Sequence, residues 1–249
     1  MKKIFNWTVN ISLIFLAASA LTYTIHYFIF HDVHHIFLYM IGDIGFLFID
    51  VLLVVLFIER ILSRREKRAI LQKLNMVIGT FFSEVGVTML SRFSGLVENA
   101  EEIQEALSVR PNWTDKDFKA ASKRAASFVY NVRPDAGKLQ ELRTFLHDKR
   151  DFLLRLLENP NILEHENFTD LLWAVFHMGE ELQFRTGDFK KLPKSDLAHL
   201  ANDLKRAYSL ITKAWIDYTG HLKQNYPFLF SLAVRINPLN IQADPVVQE

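Results

Sequence analysis

Three consecutive segments near the start of the chain decide its fold: TVNISLIFLAASALTYTIHYFIF (8–30), HDVHH (31–35) and IFLYMIGDIGFLFIDVLLVVLFI (36–58). A helix needs roughly 20 mainly apolar residues to cross about 30 Å of hydrocarbon, and both long runs reach that length. The short polar segment between them leaves room for little more than a turn. The sequence therefore predicts a two-helix transmembrane hairpin with spans at about 8–30 and 36–58 and an external loop at 31–35.

Positive charges flank this hairpin and do not interrupt it. Residues 4–58 contain no Lys or Arg, whereas Lys2 and Lys3 precede the first run. Because positive residues mark the cytoplasmic side of a span, both termini are expected in the cytoplasm, in a multi-pass protein of the cell's inner (cytoplasmic) membrane. The basic residues after the second run would suit anionic lipid headgroups. They are Arg60, Arg64, Arg65, Lys67 and Arg68.

A cleaved secretory signal is the alternative interpretation of the first run. Lys2 and Lys3, an apolar stretch and then Ala18-Ser19-Ala20 resemble a signal peptide with a small-residue cleavage site. Against this, the apolar run continues to Phe30. Cleavage would still leave the second run as a stop-transfer segment and the C-terminal part inside.

Composition excludes more functions than it indicates. The chain has 29 basic and 28 acidic residues and a net charge of +1, so its global charge does not favour nucleic acid as a partner. The absence of cysteine excludes disulfides, thiolate metal sites and a cysteine nucleophile. A glycine-rich phosphate loop, GxSxG and HExxH are also missing. The sequence leans away from an enzyme, and a divalent metal is the one cofactor that it leaves open.

The remainder of the chain predicts helices and no strand. Apolar residues recur at helical spacing from residue 59 onward. This pattern predicts a long stalk helix at 61–110, a cytoplasmic helical bundle at 111–242 and a frayed tail at 243–249. With the hairpin at 1–60, the fold class is all-α.

Individual helices of the bundle can be delimited further. Thr114 followed by Asp117 is typical of a helix N-terminus. Further helices are expected over about 138–158 and 167–185, and the longest apolar stripe follows Ser195.

Three short segments carry a resemblance to a known family: REKRA (65–69), LNMVIG (74–79) and YPFLFS (226–231). They are similar to an uncharacterised family of prokaryotic two-span membrane proteins with a cytoplasmic helical domain. The likeness covers most of the chain. The resemblance implies the architecture and brings no activity, cofactor or site residue with it.

Two acids lie within the second predicted span. Asp43 and Asp50 are seven residues apart and therefore about 20° apart on one helix face. Acids in a span either line a water-filled path or meet polar partners on neighbouring helices. A hairpin folded about Val33 would place Asp43 opposite Thr22, Tyr23 and His26, to within about one turn, and would offer Asp50 little. Structural acids, protonated or capped, and an ion or proton path are both left open.

Histidines crowd the predicted outer turn, together with one acid. Imidazole and carboxylate groups suit zinc, nickel, copper or iron, although no fixed motif is present. The same residues could instead tolerate the membrane interface or respond to pH, because histidine titrates near pH 6.5. Haem is disfavoured because only one of these histidines lies within a span. The residues are His26, His31, Asp32, His34 and His35.

The predicted bundle contains a weaker metal signal. His177 lies one turn before Glu180 and Glu181. Carboxylate-bridged di-iron bundles use Glu-x-x-His on two helices, whereas the order here is reversed and occurs once. The sequence therefore disfavours a di-iron enzyme.

Two functions from different classes follow. The first is an oligomeric cation or proton channel in the lipid bilayer, with Asp43 and Asp50 lining the path of a homo-oligomer. The second is a membrane-anchored signalling or scaffold protein whose helical bundle binds a cytoplasmic protein partner.

Overall fold

The computed structural model confirms an all-α chain. It describes residues 2–163 and 165–247, and its side-chain description omits 2–8, 64–72, 161 and 163. The helices are α1 Lys2–Phe30, α2 Val33–Phe81, α3 Val87–Ser94, α4 Ala100–Leu107, α5 Asp115–Ser127, α6 Ala136–Asp148, α7 Arg150–Leu157, α8 Pro160–Leu163, α9 Glu166–Phe184, α10 Lys194–Asn225 and α11 Pro227–Arg235. A π-helical turn, Phe82–Gly86, follows α2, and a 3₁₀ turn, Phe189–Lys191, precedes α10.

The chain divides into two compact units, Met1–Lys67 and Arg68–Glu249. In the first unit, α1 and the beginning of α2 form the hairpin. Each of them contains a segment long and apolar enough to cross a membrane, Val9–Phe30 and Val33–Ser63. No residue in the most apolar window of either segment is buried by protein. The hairpin thus presents apolar side chains that the described chain itself does not cover.

A third segment, Lys73–Ser94, also has the length and composition of a span. Its environment differs, because Phe81, Phe82, Val85 and Met89 are fully buried inside the second unit. Its apolar side chains therefore pack in a protein core. Packing in a protein core is enough to explain why this segment is apolar, and a membrane is not needed to explain it.

The core of the second unit is built around α10, which contacts α3, α5, α9 and α11. Trp215 and Tyr218 of α10 lie against Phe82, with ring centroids 5.2 and 5.3 Å apart. The indole Nε1–H of buried Trp215 donates to Asn237 Oδ1 at 3.0 Å. The polar edge of the largest core side chain is therefore satisfied, as burial requires.

Several helix boundaries differ from the predicted ones. The stretch predicted as one stalk helix, 61–110, contains the end of α2, the π-helical turn, α3 and α4. The helical run ends after Ser94 because the backbone pairs elsewhere: Arg133 N–H donates to Leu96 O at 2.7 Å, beside an isolated bridge between Val97 and Val132. The helix predicted over 138–158 is interrupted at Lys149, between α6 and α7.

Other boundaries agree with the sequence pattern. Asp117 accepts hydrogen bonds from the backbone N–H and the hydroxyl of Thr114 at 2.7 and 2.8 Å, which confirms the predicted N-terminus of α5. The expected helix over 167–185 corresponds to α9. In the tail, residues 243–247 are exposed, and Arg235 Nη1 donates to Pro245 O at 2.9 Å.

Candidate functional site

The turn of the hairpin consists of two residues, His31 and Asp32. His31 has a φ of 52° and donates its backbone N–H to Tyr27 O at 2.8 Å, which ends α1. Asp32 Oδ1 accepts a hydrogen bond from His35 N–H at 3.2 Å, the interaction of a helix N-cap. The loop predicted at 31–35 is therefore only two residues long in the structure, because Asp32 caps α2 and the helix begins at Val33.

The histidines of this turn separate into two pairs. The rings of His26 and His35 are stacked, with centroids 5.8 Å apart, and both side chains are partly buried. Their Nδ1 atoms are buried and have no hydrogen-bond partner among the described residues. His31 and His34 are exposed. Metal binding by these residues and Asp32 stays a prediction, and the structure places only His26 and His35 ring against ring.

Asp43 and Asp50 both lie on α2 with exposed side chains. Within the described part of the chain, neither carboxylate takes part in a hydrogen bond or an ion pair. Thr22, an expected partner of Asp43, donates its hydroxyl to Ala18 O in its own helix at 2.9 Å. His26 lies against Phe30 and His35. The hairpin therefore leaves both acids without the partners that were expected for Asp43.

The turn lies slightly before its predicted position. The expected hairpin was folded about Val33, whereas the turn lies at His31–Asp32. With equal rise along two antiparallel helices, Asp43 then lies at about the level of Ala20. Ala20 is within one helical turn of Thr22 and Tyr23, so the predicted level of Asp43 holds to about a turn, although the Thr22 hydroxyl donates to Ala18 O instead.

The proposed lipid-headgroup residues are only partly described. Arg60 is exposed. The side chains of Arg64, Arg65, Lys67 and Arg68 lie outside the described residues. A headgroup role for these five residues stays a prediction.

The structure brings together a second group, here called the α9–α10 cluster: His177 and Glu181 of α9 with His199 and Asp203 of α10. His199 Nε2 lies 3.3 Å from Asp203 Oδ2 and 3.4 Å from Glu181 Oε2. His177 Nε2 lies 3.7 Å from Glu181 Oε1 and 3.9 Å from Asp203 Oδ2. Each imidazole thus faces both carboxylates.

Arg185 holds one side of this cluster in place. Its Nη1 donates to Glu181 Oε2 at 2.5 Å, and its Nε and Nη2 bind both oxygens of Asp196 at 2.8 and 2.6 Å. These hydrogen bonds lower the pKa of Glu181 and the pKa of Asp196 below their ordinary values. Both carboxylates are therefore held in the charged form.

The metal signal predicted from the sequence paired His177 with Glu180 or Glu181 and did not include His199 or Asp203. A signal was present, because a histidine precedes an acid by four residues on each of two successive helices. That spacing puts both side chains of a pair on one helix face. The same spacing also occurs at His147 and Asp151, which do not join the cluster, so the spacing alone would not have been decisive.

Comparisons with known proteins cover nearly the whole chain. Residues 2–62 match a family described as "MJ1433, N-terminal helical domain", and residues 70–235 match "Uncharacterized protein MJ1433, C-terminal helical domain". A protein from Methanocaldococcus jannaschii, described as "Uncharacterized protein MJ1433", is 45% identical over 232 residues, covering 93% of this chain and 92% of its own length. No solved structure matches the chain significantly.

Proposed function

The chain belongs to the MJ1433 family of two-part helical proteins, and we propose that its N-terminal hairpin crosses a membrane and assembles with further copies around a cation or proton path. In this proposal Asp43 and Asp50 line the path, both termini are cytoplasmic, and the turn at His31–Asp32 is external. The family comparison supports the two helical parts and carries no activity to this chain.

One observation carries the proposal: the two acids lie on one face of an uncovered apolar helix without any described partner. An ionised carboxylate at the bilayer centre costs roughly 2.5–3.5 kcal/mol on insertion scales. The α1 helix does not relieve this cost, because no described α1 side chain bonds to either acid. A second copy of α2, with water between the copies, would give both acids a polar surrounding.

Flux into liposomes tests the proposal directly. The full chain would be reconstituted with an internal pH dye and a potassium gradient, so that proton and potassium movement are both measured. Asp50→Asn keeps the side-chain shape and removes one charge. Since two unit charges about 4 Å apart at an effective dielectric of about 20 interact by about 4 kcal/mol, loss of this charge should reduce flux tenfold or more.

Two further variants show whether flux depends on the acids of the path or on any acid of the hairpin. Asp43→Asn should also reduce flux, because the structure gives Asp43 no more partners than Asp50. Asp32→Asn makes the same chemical change at the turn, where asparagine still caps a helix, and should leave flux near the wild-type level. Wild-type chain that inserts and assembles without conducting either ion would contradict the path.

A specific surface favours the anchored scaffold as the second candidate. Trp173 and Phe184 of α9 are 53% and 82% exposed. They are eleven residues apart and therefore about 20° apart on one helix face. Exposed aromatic side chains are enriched where proteins bind partners. A protein that inserts without conducting would favour this candidate, with the hairpin acting as an anchor.

A further inference from the structure

We propose that the α9–α10 cluster binds one divalent transition metal ion of the zinc class and thereby clamps α9 to α10. Its ligands would be His177 through Nε2 and Glu181 and Asp203 through carboxylate oxygens, with His199 beside them. This inference concerns the second unit alone and does not depend on a path through the hairpin.

Three residues of the cluster have ligand atoms close enough to share one four-coordinate ion. Zinc binds histidine nitrogen at about 2.0–2.1 Å and carboxylate oxygen at about 2.0–2.2 Å. Ligand atoms on a tetrahedron of that size are about 3.4 Å apart. His177 Nε2 lies 3.7 Å from Glu181 Oε1 and 3.9 Å from Asp203 Oδ2, a few tenths of an ångström more than that spacing. Ligand atoms of His177, Glu181 and Asp203 all lie within 4.8 Å of one another.

An independent observation points to a ligand for this cluster. Asp203 Oδ2 is buried and accepts no hydrogen bond from the described residues, although two imidazoles face it. A buried acceptor without a partner costs free energy, and more so when it is charged. An ion bound at Oδ2 would remove that cost.

The remaining partners suit a metal site as well. Arg185 hydrogen-bonds Glu181 from outside the cluster, and outer partners of this kind fix the orientation of metal-binding carboxylates. Asp196 binds Arg185 through two hydrogen bonds, so the arginine charge is balanced locally. Neutral imidazoles with two carboxylates carry a charge of about −2, which a divalent ion neutralises.

The donor set limits the class of ion. Imidazole nitrogen favours zinc, cobalt, nickel, copper or iron over magnesium and calcium, which prefer oxygen ligands. Both histidine side chains are about half exposed, 51% and 52%, so an ion can enter from solvent. Three protein ligands from two helices tie α9 to α10, and a water molecule would complete the tetrahedron. The expected role is therefore stabilisation of the α9–α10 contact.

Metal titration of the full chain tests the proposal. The purified chain in detergent would be stripped with a chelator and titrated with Zn²⁺ by calorimetry, and with Co²⁺ by visible absorption. One equivalent should bind at the cluster, the Co²⁺ bands should have tetrahedral intensity, and thermal unfolding should shift upward with Zn²⁺. No Zn²⁺ binding, or weak octahedral Co²⁺ bands only, would overturn the proposal.

Matched variants locate the binding. His177→Gln removes a ligand from a half-exposed position, and Asp203→Asn keeps the carboxylate shape; each should weaken Zn²⁺ binding at least about tenfold with helicity unchanged. His147→Gln is the control, because His147 precedes Asp151 by the same four residues outside the cluster. Wild-type affinity in both cluster variants, or its loss in His147→Gln alone, would overturn the assignment.

A double variant tests whether the turn of the hairpin binds a metal ion. His31→Gln with His34→Gln removes the exposed imidazoles of the turn. If His31 and His34 also bind an ion, this double variant should lose a separate equivalent and keep the one at the cluster. Loss of the only equivalent in this double variant would place the metal at the turn and contradict the proposal.

Discussion

Gly79 lies so close to Tyr218 that a Cβ atom on residue 79 would stand 2.8 Å from the Tyr218 hydroxyl oxygen. The Tyr218 ring is stacked on Phe82, with centroids 5.3 Å apart and planes inclined by 16°. The Tyr218 ring therefore packs against Phe82 as well as beside Gly79. This contact joins the end of α2 to α10 within the second unit and explains why a glycine lies within a helix there.

Gly79→Ala is expected to destabilise the second unit. Overpacking costs about 1–3 kcal/mol, whereas alanine in place of glycine favours a helix by about 1 kcal/mol. The free energy of unfolding should therefore fall by about 1 kcal/mol. Thermal unfolding of the full chain in detergent, followed by circular dichroism, measures this change.

The same substitution in a Tyr218→Phe background provides the control. Removal of the hydroxyl oxygen removes the closest atom, so the alanine should then be neutral or stabilising. Equal destabilisation in both backgrounds would show that the clash lies elsewhere.

Alkaline pH should destabilise the second unit through Tyr208. Burial raises the pKa of this tyrosine to about 12, and a hydrogen bond of 3.1 Å to Ser94 Oγ opposes the shift only in part. Because the folded pKa lies above the unfolded value of about 10, the stability contribution is complete below about pH 10 and is lost as the pH rises through about 12. The loss should reach roughly 2–3 kcal/mol.

Tyr208→Phe isolates this effect from other alkaline titrations. The variant cannot ionise at position 208, so its free energy of unfolding should depend less on pH between about 10 and 12 than that of the wild type. Unfolding in denaturant at several pH values provides the comparison. Identical slopes for the two chains would contradict a role for Tyr208.

The sequence predicted the helical elements well where a local signal marks them. Thr114 and Asp117 form the expected cap of α5, and the α10 stripe forms the core as its spacing indicates. The break at Lys149 has no comparable signal, and the pattern therefore predicted one helix across it.

The α9–α10 cluster was not predicted because its geometry depends on tertiary packing. His177 and His199 are 22 positions apart, and only the contact of their helices brings both to Asp203. Periodicity places each pair on a helix face but cannot show which faces meet. The hydrogen bonds of Asp43 could likewise not be predicted, because folding the hairpin gives the level of a residue to about a turn and does not show which side chains bond.

Topology can be tested with single cysteines, because the native chain contains none. Val33→Cys beside the turn should react with a membrane-impermeant maleimide from outside intact cells, whereas Ser63→Cys should react only after lysis. Both positions are exposed on α2. The opposite labelling would invert the proposed orientation.

Disulfide cross-linking between copies tests most directly whether α2 helices meet along their acidic face. Val54 lies within about 40° of both acids around the helix, and Leu52 lies about 160–180° from them. The two side chains are equally exposed, 54% and 57%. In native membranes under mild oxidation, Val54→Cys should form a disulfide-linked dimer and Leu52→Cys should remain monomeric. Equal cross-linking at the two positions, or none at Val54→Cys, would contradict an assembly in which Asp43 and Asp50 line a shared path.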